Sequence, residues 1–547
     1  MPSRTPLRRR ALWTTVLSVV AALASFVPAG ATPPARTVDL QLLSVSDWHA
    51  QLDPQSVTGV GNVGGAAALS SYFRADRAAN PNTLTLTAGD AFGASPPLSN
   101  FFDEEPAVKA MNLMGFDADT FGNHNFDRGT AHLQRMIDLA DFQYVSANLR
   151  NVDDNLTGVE PFEIFELDGV KVAVIGITNP EAPTLVKPGN FGTIEVTDPV
   201  AAANRARAAA RQAGAKVFVV ITHMGVTGFD AAGQPTGPLV DFANAVGGFD
   251  VILGDHTDVQ FEGLINNQLV VENRSKGLTY ARTTLTVDAA NGRVLARDAH
   301  FVTPLASAVA PDQAVVDMLA PYRSALAAVF DAPIGVATGL FPRGGNIERV
   351  REVAIGNLVA DAMRETYGTQ LALTNGGGLR APLPSSYLPG DTSLRRNSPG
   401  YAAGPPYDLV VGDVFTVLPF GNIVVTRTVT GAQLHAALEH SVGAMPAANG
   451  RFAQISGFRF RYDSSKPAGS RVLSVELTDG TPILADSTTY TLATNDFTNA
   501  GGDGYTMLAD GNGVTRDIMA NVVLDYIRAK GTISPVVDGR IVNVATP

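Results

Sequence analysis

Between residues 38 and about 304 the chain alternates short β-rich apolar runs with longer amphipathic ones, the pattern of an α/β domain. Residues 38–45, 83–87, 142–147, 216–221 and 249–253 read as strands, and 117–121 as a strand leading into a polar cluster. Residues 164–177 read as a hairpin turning at Asp168-Gly169, and 199–214 and 239–246 as helices, the first with proline in its opening turn and glycine at its end. Residues 311–330 form a longer amphipathic pattern between Pro304 and Pro333, read as a helix connecting two domains.

A second pattern runs from about 334 to 545. Helices are expected at 355–367 and 430–442, a strand at 370–373, and a loop at Gly376-Gly377-Gly378. Residues 458–478 read as paired strands around Lys466-Pro467-Ala468-Gly469, and the Pro-, Gly- and Ser-rich stretch 381–408 as a long surface insertion. No tandem repeat is visible.

Composition narrows the chemistry. At 547 residues the chain exceeds one ordinary core, so two domains are expected. A formal charge of −12 with no basic stripe argues against a nucleic-acid polymer as partner. With no cysteine there are no disulfides, thiolate metal sites or thiol nucleophiles, so any metal must rest on His, Asp, Glu or Asn. Residues 1–31 read as a secretory signal: basic around Arg4 and Arg8-Arg9-Arg10, apolar from 11 to 27, with Ala29-Gly30-Ala31 as cleavage site. No later run is long enough to span a bilayer, so the expectation is an exported, extracellular or cell-envelope protein.

The polar residues worth attention follow the strand-like runs. Asp47, His49, Asp90, Asn123, His223, His256 and Asp258 are seven nitrogen and oxygen donors on five loops. Such sulfur-free donors suit two divalent ions, with Mn, Zn, Co, Mg or Fe all compatible. Asp90, closing a buried strand, is the natural bridge between two ions of the kind that assist phosphoryl displacement. His124, next to Asn123, would face a leaving group or phosphoryl oxygen, with Asp127 three residues on fixing its ring. The alternative makes His124 a ligand and Asp127 a helix cap. His132, His300, His435 and His440 read as structural or exposed.

Asp47-x-His49, Gly89-Asp90, Gly122-Asn123-His124-x-Phe126-Asp127, Thr222-His223 and Gly254-x-His256-x-Asp258 resemble the five blocks of the calcineurin-like metallophosphoesterases. Gly356-Asn357-Leu358, Asn375-Gly376-Gly377-Gly378-Leu379-Arg380, Leu418-Pro419-Phe420-Gly421-Asn422, Asn495-Asp496-Phe497 and Gly501-Gly502-Asp503-Gly504-Tyr505 narrow the resemblance to the 5'-nucleotidase / UDP-sugar hydrolase family. It implies an α/β fold: a metallophosphoesterase β-sandwich flanked by helices (37–305), a connector helix (306–333) and an α/β substrate-binding domain (334–545).

The resemblance also implies one metal on Asp47, His49, Asp90 and Asp258, and another on Asp90, Asn123, His223 and His256. It places His124 and Asp127 on the catalytic dyad, and Phe420 and Phe497 on two aromatics that sandwich a nucleobase. Asn422 and Asp503 fall on polar partners of the base or ribose, and Arg349, Asn375 and Arg380 on groups that touch phosphate or ribose. Two departures stand out: the last metal block more often ends in Gly-His-x-His or His-x-Gln, and an arginine commonly four residues before the Arg349 position is replaced by Gly345, with Arg343 nearby. The expected activity is hydrolysis of nucleoside 5'-monophosphates. The rivals are a 2',3'-cyclic nucleotide phosphodiesterase, a UDP-sugar or nucleoside diphosphate hydrolase, a broad phosphomonoesterase, and a catalytically silent surface binding protein.

Overall fold

The computed structural model describes residues 36–545 except 58, 187 and 188, so the expected signal segment lies outside the described residues. The first domain is two stacked sheets. One has seven strands in the order Val294–Val302, Tyr280–Asp288, Thr37–Val45, Thr83–Thr87, Ala118–Asp119, Gln143–Val145, Val159–Glu160. The other has six, in the order Phe261–Ile265, Gln268–Glu272, Val251–Gly254, Val217–Thr222, Val170–Ile177, Phe162–Leu167.

Alternate residues of the two sheets meet in one apolar layer: Leu40, Leu42, Leu84 and Leu86 belong to the same buried cluster as Val172, Val174, Val219 and Ile221. In the central strands of the six-stranded sheet the remaining residues point outward, and they are apolar as well. Ala173, Ile175, Phe218 and Val220 form a second cluster with Ala203 and Ala206 of the Pro199–Gln212 helix and Leu239 and Phe242 of the Pro238–Ala245 helix. Strands buried on both faces lose the alternation of a half-exposed strand, which is why they read as continuous apolar runs.

The hairpin at Asp168-Gly169 forms as expected, pairing Phe162–Leu167 with Val170–Ile177. The connecting helix runs Gln313–Phe330 with Asp312 as its cap, the Asp312 carboxylate accepting from the Ala314 amide at 3.1 Å. The strand expected at 117–121 is only two residues long, Ala118–Asp119. Beyond it Asp119 turns its carboxylate onto the backbone amides of Gly89 (2.9 Å) and Thr120 (2.8 Å), so the local polar bonding displaces the ladder.

The second domain is built on a five-stranded sheet in the order Ala453–Ser456, Leu371–Asn375, Thr489–Asn495, Ile423–Thr430, Val514–Ile518. The Ala354–Tyr367 and Gly431–Val442 helices pack on it, the latter with a capping box between Thr430 and Gln433. The 381–408 stretch is not simply a surface insertion. Leu383, Ser385 and Arg396 are buried, and the Arg396 guanidinium (side chain 1% exposed) makes a two-pronged pair with Asp413 (0%) at 2.6 and 2.7 Å. Asp413 also accepts from the Ser385 amide and hydroxyl, each at 2.8 Å. An Asp413→Ala protein is expected to lose about 3–5 kcal/mol of stability, because it strands a buried guanidinium. A urea titration monitored by circular dichroism measures this, and an unchanged midpoint would refute it.

The two domains are joined by a shared apolar seam. Phe330, at the end of the connecting helix, meets Phe101 of the first domain at 5.2 Å and Phe415 of the second at 5.1 Å, both edge to face. One continuous buried cluster extends from Leu43 and Phe73 through Leu326 and Phe330 to Val359 and Val414. Among the described residues no helix is long and apolar enough to cross a membrane.

Candidate metal and nucleotide site

Each loop that was expected to carry a metal ligand reaches the same point, at one end of the sandwich. His223 Nε2 lies 3.0 Å from Asp90 Oδ2, 3.1 Å from His256 Nδ1 and 3.9 Å from Asp47 Oδ1, and His49 Nε2 is also 3.9 Å from Asp47 Oδ1. Three groupings have ligand atoms within 4.8 Å of one another: Asp90, His223 and His256; Asp47, His223 and Asp255; and Asp47, His49 and Asp90.

The backbone is bent to bring them there. Asp47, His49, Asp90, His256 and Asp258 all have positive φ, at 40°, 48°, 48°, 94° and 54°. Side chains other than glycine avoid this region, and such strain gathers at functional sites. Gly122 adds a close approach, since a Cβ there would collide with Asp90 Oδ1 and with His223 Cε1 at 2.7 Å.

The donor set fits divalent ions. Asp47 Oδ1 and Asn123 Oδ1 are buried without a hydrogen-bond partner, an arrangement with a desolvation cost that a cation would offset. His49 and His223 give their Nδ1–H to the carbonyls of Gly93 (2.8 Å) and Ala88 (3.0 Å), which turns each Nε2 toward the cluster, the orientation typical of metal-binding imidazoles. Electrostatics couples the same groups. Burial, then the charges of Arg380 and His124, hold His49 well below its ordinary pKa. Burial and His223 push His256 down to about 3. Burial also works against a charged His223, but the Asp90 carboxylate outweighs it and raises His223 to about 9, while His223 and His124 draw Asp90 well below the carboxylate range.

Asp258 does not join this group. Its Oδ1 accepts from the Ser275 amide and hydroxyl, both at 2.9 Å, with Arg274 Nε at 3.9 Å, and it is absent from all three groupings. The loop after Val251–Gly254 contributes Asp255 instead, fully buried beside Asp47 and His223.

His124 and Asp127 are paired as the dyad reading expected. His124 Nδ1 is 3.0 Å from Asp127 Oδ2, and the following Thr130–Leu139 helix is capped by Gly129 rather than Asp127. Asp90 Oδ1 accepts from the His124 amide at 2.7 Å, tying this pair to the Asp–His cluster. Asn125, between them, accepts from the amides of Gly122 (2.8 Å) and Asp90 (3.2 Å). The other four histidines are structural: His132, His435 and His440 bond backbone carbonyls, and His300 contacts Arg282.

The second domain closes over this cluster. Arg380, 8% exposed, places Nη2 3.2 Å from His49 Nε2, and the Phe420 ring stacks on His124 with centroids 5.3 Å apart. Asn100 donates to the Pro419 carbonyl at 2.7 Å, and Lys276 to that of Arg380 at 3.2 Å. Arg343 (3.1 Å) and Arg349 (3.6 Å) flank the buried Glu348 carboxylate. Burial and the neighbouring Arg349 and Arg343 lower Arg380 to about 9, and burial with Arg343 and Arg380 lowers Lys276 to about 7, the mark of crowded positive charge.

Asn375 donates to Asp503 at 2.8 Å, Phe497 lies against Gly502, and Asn422 donates to Asp496 at 2.9 Å. Asp255, Lys276, Asn125 and Asp119 were missed. Asp255 sat inside a recognised block, whereas Lys276 lies in Arg274-Ser275-Lys276-Gly277, which reads as an ordinary loop.

Comparison with known proteins places this geometry. Residues 333–510 match the family described as 5'-nucleotidase, C-terminal domain. The chain is 29% identical to Endonuclease YhcR of Bacillus subtilis over 486 residues, 85% of this chain but only 37% of that longer protein. It is 27% identical to the snake venom 5'-nucleotidase of Naja atra over 555 residues, 92% of this chain and 98% of that one. Among solved structures, a 5'-nucleotidase precursor from Thermus thermophilus superposes with a TM-score of 0.81 at 29% identity, covering 93% of this chain and all of that one. The chain is thus similar over nearly its whole described length to 5'-nucleotidases, and its residues 333–510 match the C-terminal domain of that family.

Proposed function

We propose that this protein is a secreted, metal-dependent phosphohydrolase that cleaves nucleoside 5'-monophosphates to nucleoside and phosphate. One observation carries the reading: a basic and an aromatic side chain of the second domain, Arg380 and Phe420, rest directly on His49 and His124 of the first. A phosphate at the cluster would thus lie within reach of a guanidinium and a ring able to stack a base.

Asp47, His49, Asp90, Asn123, His223 and His256 would hold two divalent ions. Bound there, the ions supply Lewis acidity toward a phosphoryl oxygen and make water more acidic. The chain's own residues do the rest. Arg380, Arg349 and Arg343 meet the phosphate charge. His124, with Nδ1 committed to Asp127, has Nε2 to hold or give a proton at a substrate oxygen. Phe420 and Phe497 grip the base.

Between His124, Phe92 and Phe420 a cavity of about 30 Å³ remains, far below the roughly 300–1,000 Å³ typical of ligand pockets. Substrate entry therefore requires the Arg380 and Phe420 loops to lift while the seam around Phe330 stays joined.

The experiment is a panel of AMP, UMP, ATP, UDP-glucose, 2',3'-cyclic AMP and single-stranded DNA, offered to metal-stripped and Mn-reconstituted protein. Preference for AMP and UMP, with activity restored by metal, is the expected result; preference for a cyclic or diphosphate ester overturns the monophosphate assignment. In the same assay Phe420→Ala is expected to raise KM for AMP about 10-fold or more, since a base–aromatic stack contributes roughly 1–3 kcal/mol, while sparing p-nitrophenyl phosphate. Equal losses on both substrates would remove the stacking role.

A further inference from the structure

Asp255 is a buried carboxylate that the expected ligand set does not use. It follows the Val251–Gly254 strand at 0% exposure, and its Oδ1 accepts from the His256 amide at 2.7 Å. An asparagine or serine could serve that capping role equally well. The other oxygen needs a different explanation: Oδ2 is buried and has no hydrogen-bond partner. It lies 4.0 Å from His223 Nδ1, and the side chain groups with Asp47 and His223 within 4.8 Å. Asp47 Oδ1 is orphaned in the same way. Two buried carboxylates with unpartnered oxygens side by side are costly unless a cation shares their charge.

We propose that Asp255 is a positioning residue of the metal centre, a third carboxylate beneath Asp47 and Asp90 that raises the affinity of the site for divalent ions. This rests on the metal reading above. Asp255 acts through its neighbours. On the Nδ1 side of His223 it favours the N–H there, which already points to the Ala88 carbonyl at 3.0 Å, and so keeps the Nε2 lone pair facing Asp90 and His256. Its charge adds to that of Asp47, so the ion-free centre is more repulsive and the ion-filled centre more strongly bound.

The test is calorimetric titration of Mn²⁺ into the metal-stripped full chain and its Asp255→Asn variant, with melting temperatures measured before and after loading. Asp255→Asn keeps the bond to the His256 amide and removes the charge. It is expected to weaken Mn²⁺ binding about 10–100-fold, the usual effect of removing a partner that supports ligands. It should also raise the melting temperature of the metal-free protein and shrink the increment on loading. Asp255→Ser, which retains a capping oxygen, should behave alike and serves if the first variant folds poorly.

Unchanged Mn²⁺ affinity in a folded variant overturns the proposal. So does a lower melting temperature in both states with affinity intact, which is what a purely structural cap would give. If the parent chain binds no Mn²⁺, the metal reading itself falls and takes this proposal with it, an outcome distinct from equal binding by parent and variant.

Discussion

Asp90→Asn protein is expected to fold and to lose at least about a thousandfold in kcat/KM, roughly 4 kcal/mol of transition-state stabilisation. The size follows from the position of one carboxylate. Asp90 belongs to both the grouping with His223 and His256 and the grouping with Asp47 and His49, so a single charge serves both halves of the centre. Its Oδ2 sits 3.0 Å from His223 Nε2, and its Oδ1 receives the His124 amide at 2.7 Å. Asparagine can keep the second contact but not the charge. The measurement is kcat/KM for AMP at saturating Mn²⁺ alongside metal content by mass spectrometry. A loss below tenfold with full metal content would show that Asp90 does not bridge.

The second large effect is at His124. His124→Ala is expected to lower kcat for AMP by about 10²- to 10⁴-fold, the range for a positioned general acid or base. The loss on p-nitrophenyl phosphate should be at least about tenfold smaller, because its phenolate leaves without being protonated. Equal losses on the two substrates would move His124 from the leaving group to a phosphoryl oxygen, and no loss on either would remove it from catalysis. Asp127→Asn, which keeps the ring nearby but loses the charge 3.0 Å from Nδ1, should fall between His124→Ala and the parent.

Much of this site was legible because metal chemistry needs particular side chains in short blocks. Asp47, His49, Asp90, Asn123, His223 and His256 were each marked by a strand-like run ending in a polar residue, and the sandwich brings them together. Asp258 shows where such reading stops. Whether the first or the last aspartate of Asp255-His256-Thr257-Asp258 faces the cluster depends on φ values of 94° at His256 and 54° at Asp258, and on Ser275 offering Asp258 two donors from a distant loop. Lys276 was invisible for the same reason: only the fold places it against Arg380. The 381–408 stretch read as surface because Pro, Gly and Ser dominate it, yet one buried pair, Arg396 with Asp413, anchors it. The 83–87 strand lies where it was expected to the residue, and the 355–367 and 430–442 helices begin within one residue of their expected starts, at Ala354 and Gly431.

The apolar seam around Phe330 has a thermodynamic consequence. Because one buried apolar cluster runs from Leu43 to Val414, the two domains share a single core at their junction. Heating therefore cannot dissolve one half and leave the other with its apolar face intact, and the chain should melt as one calorimetric unit despite its length. A divalent ion held at one end of the sandwich would then protect, through that coupling, a second-domain sheet that it never touches.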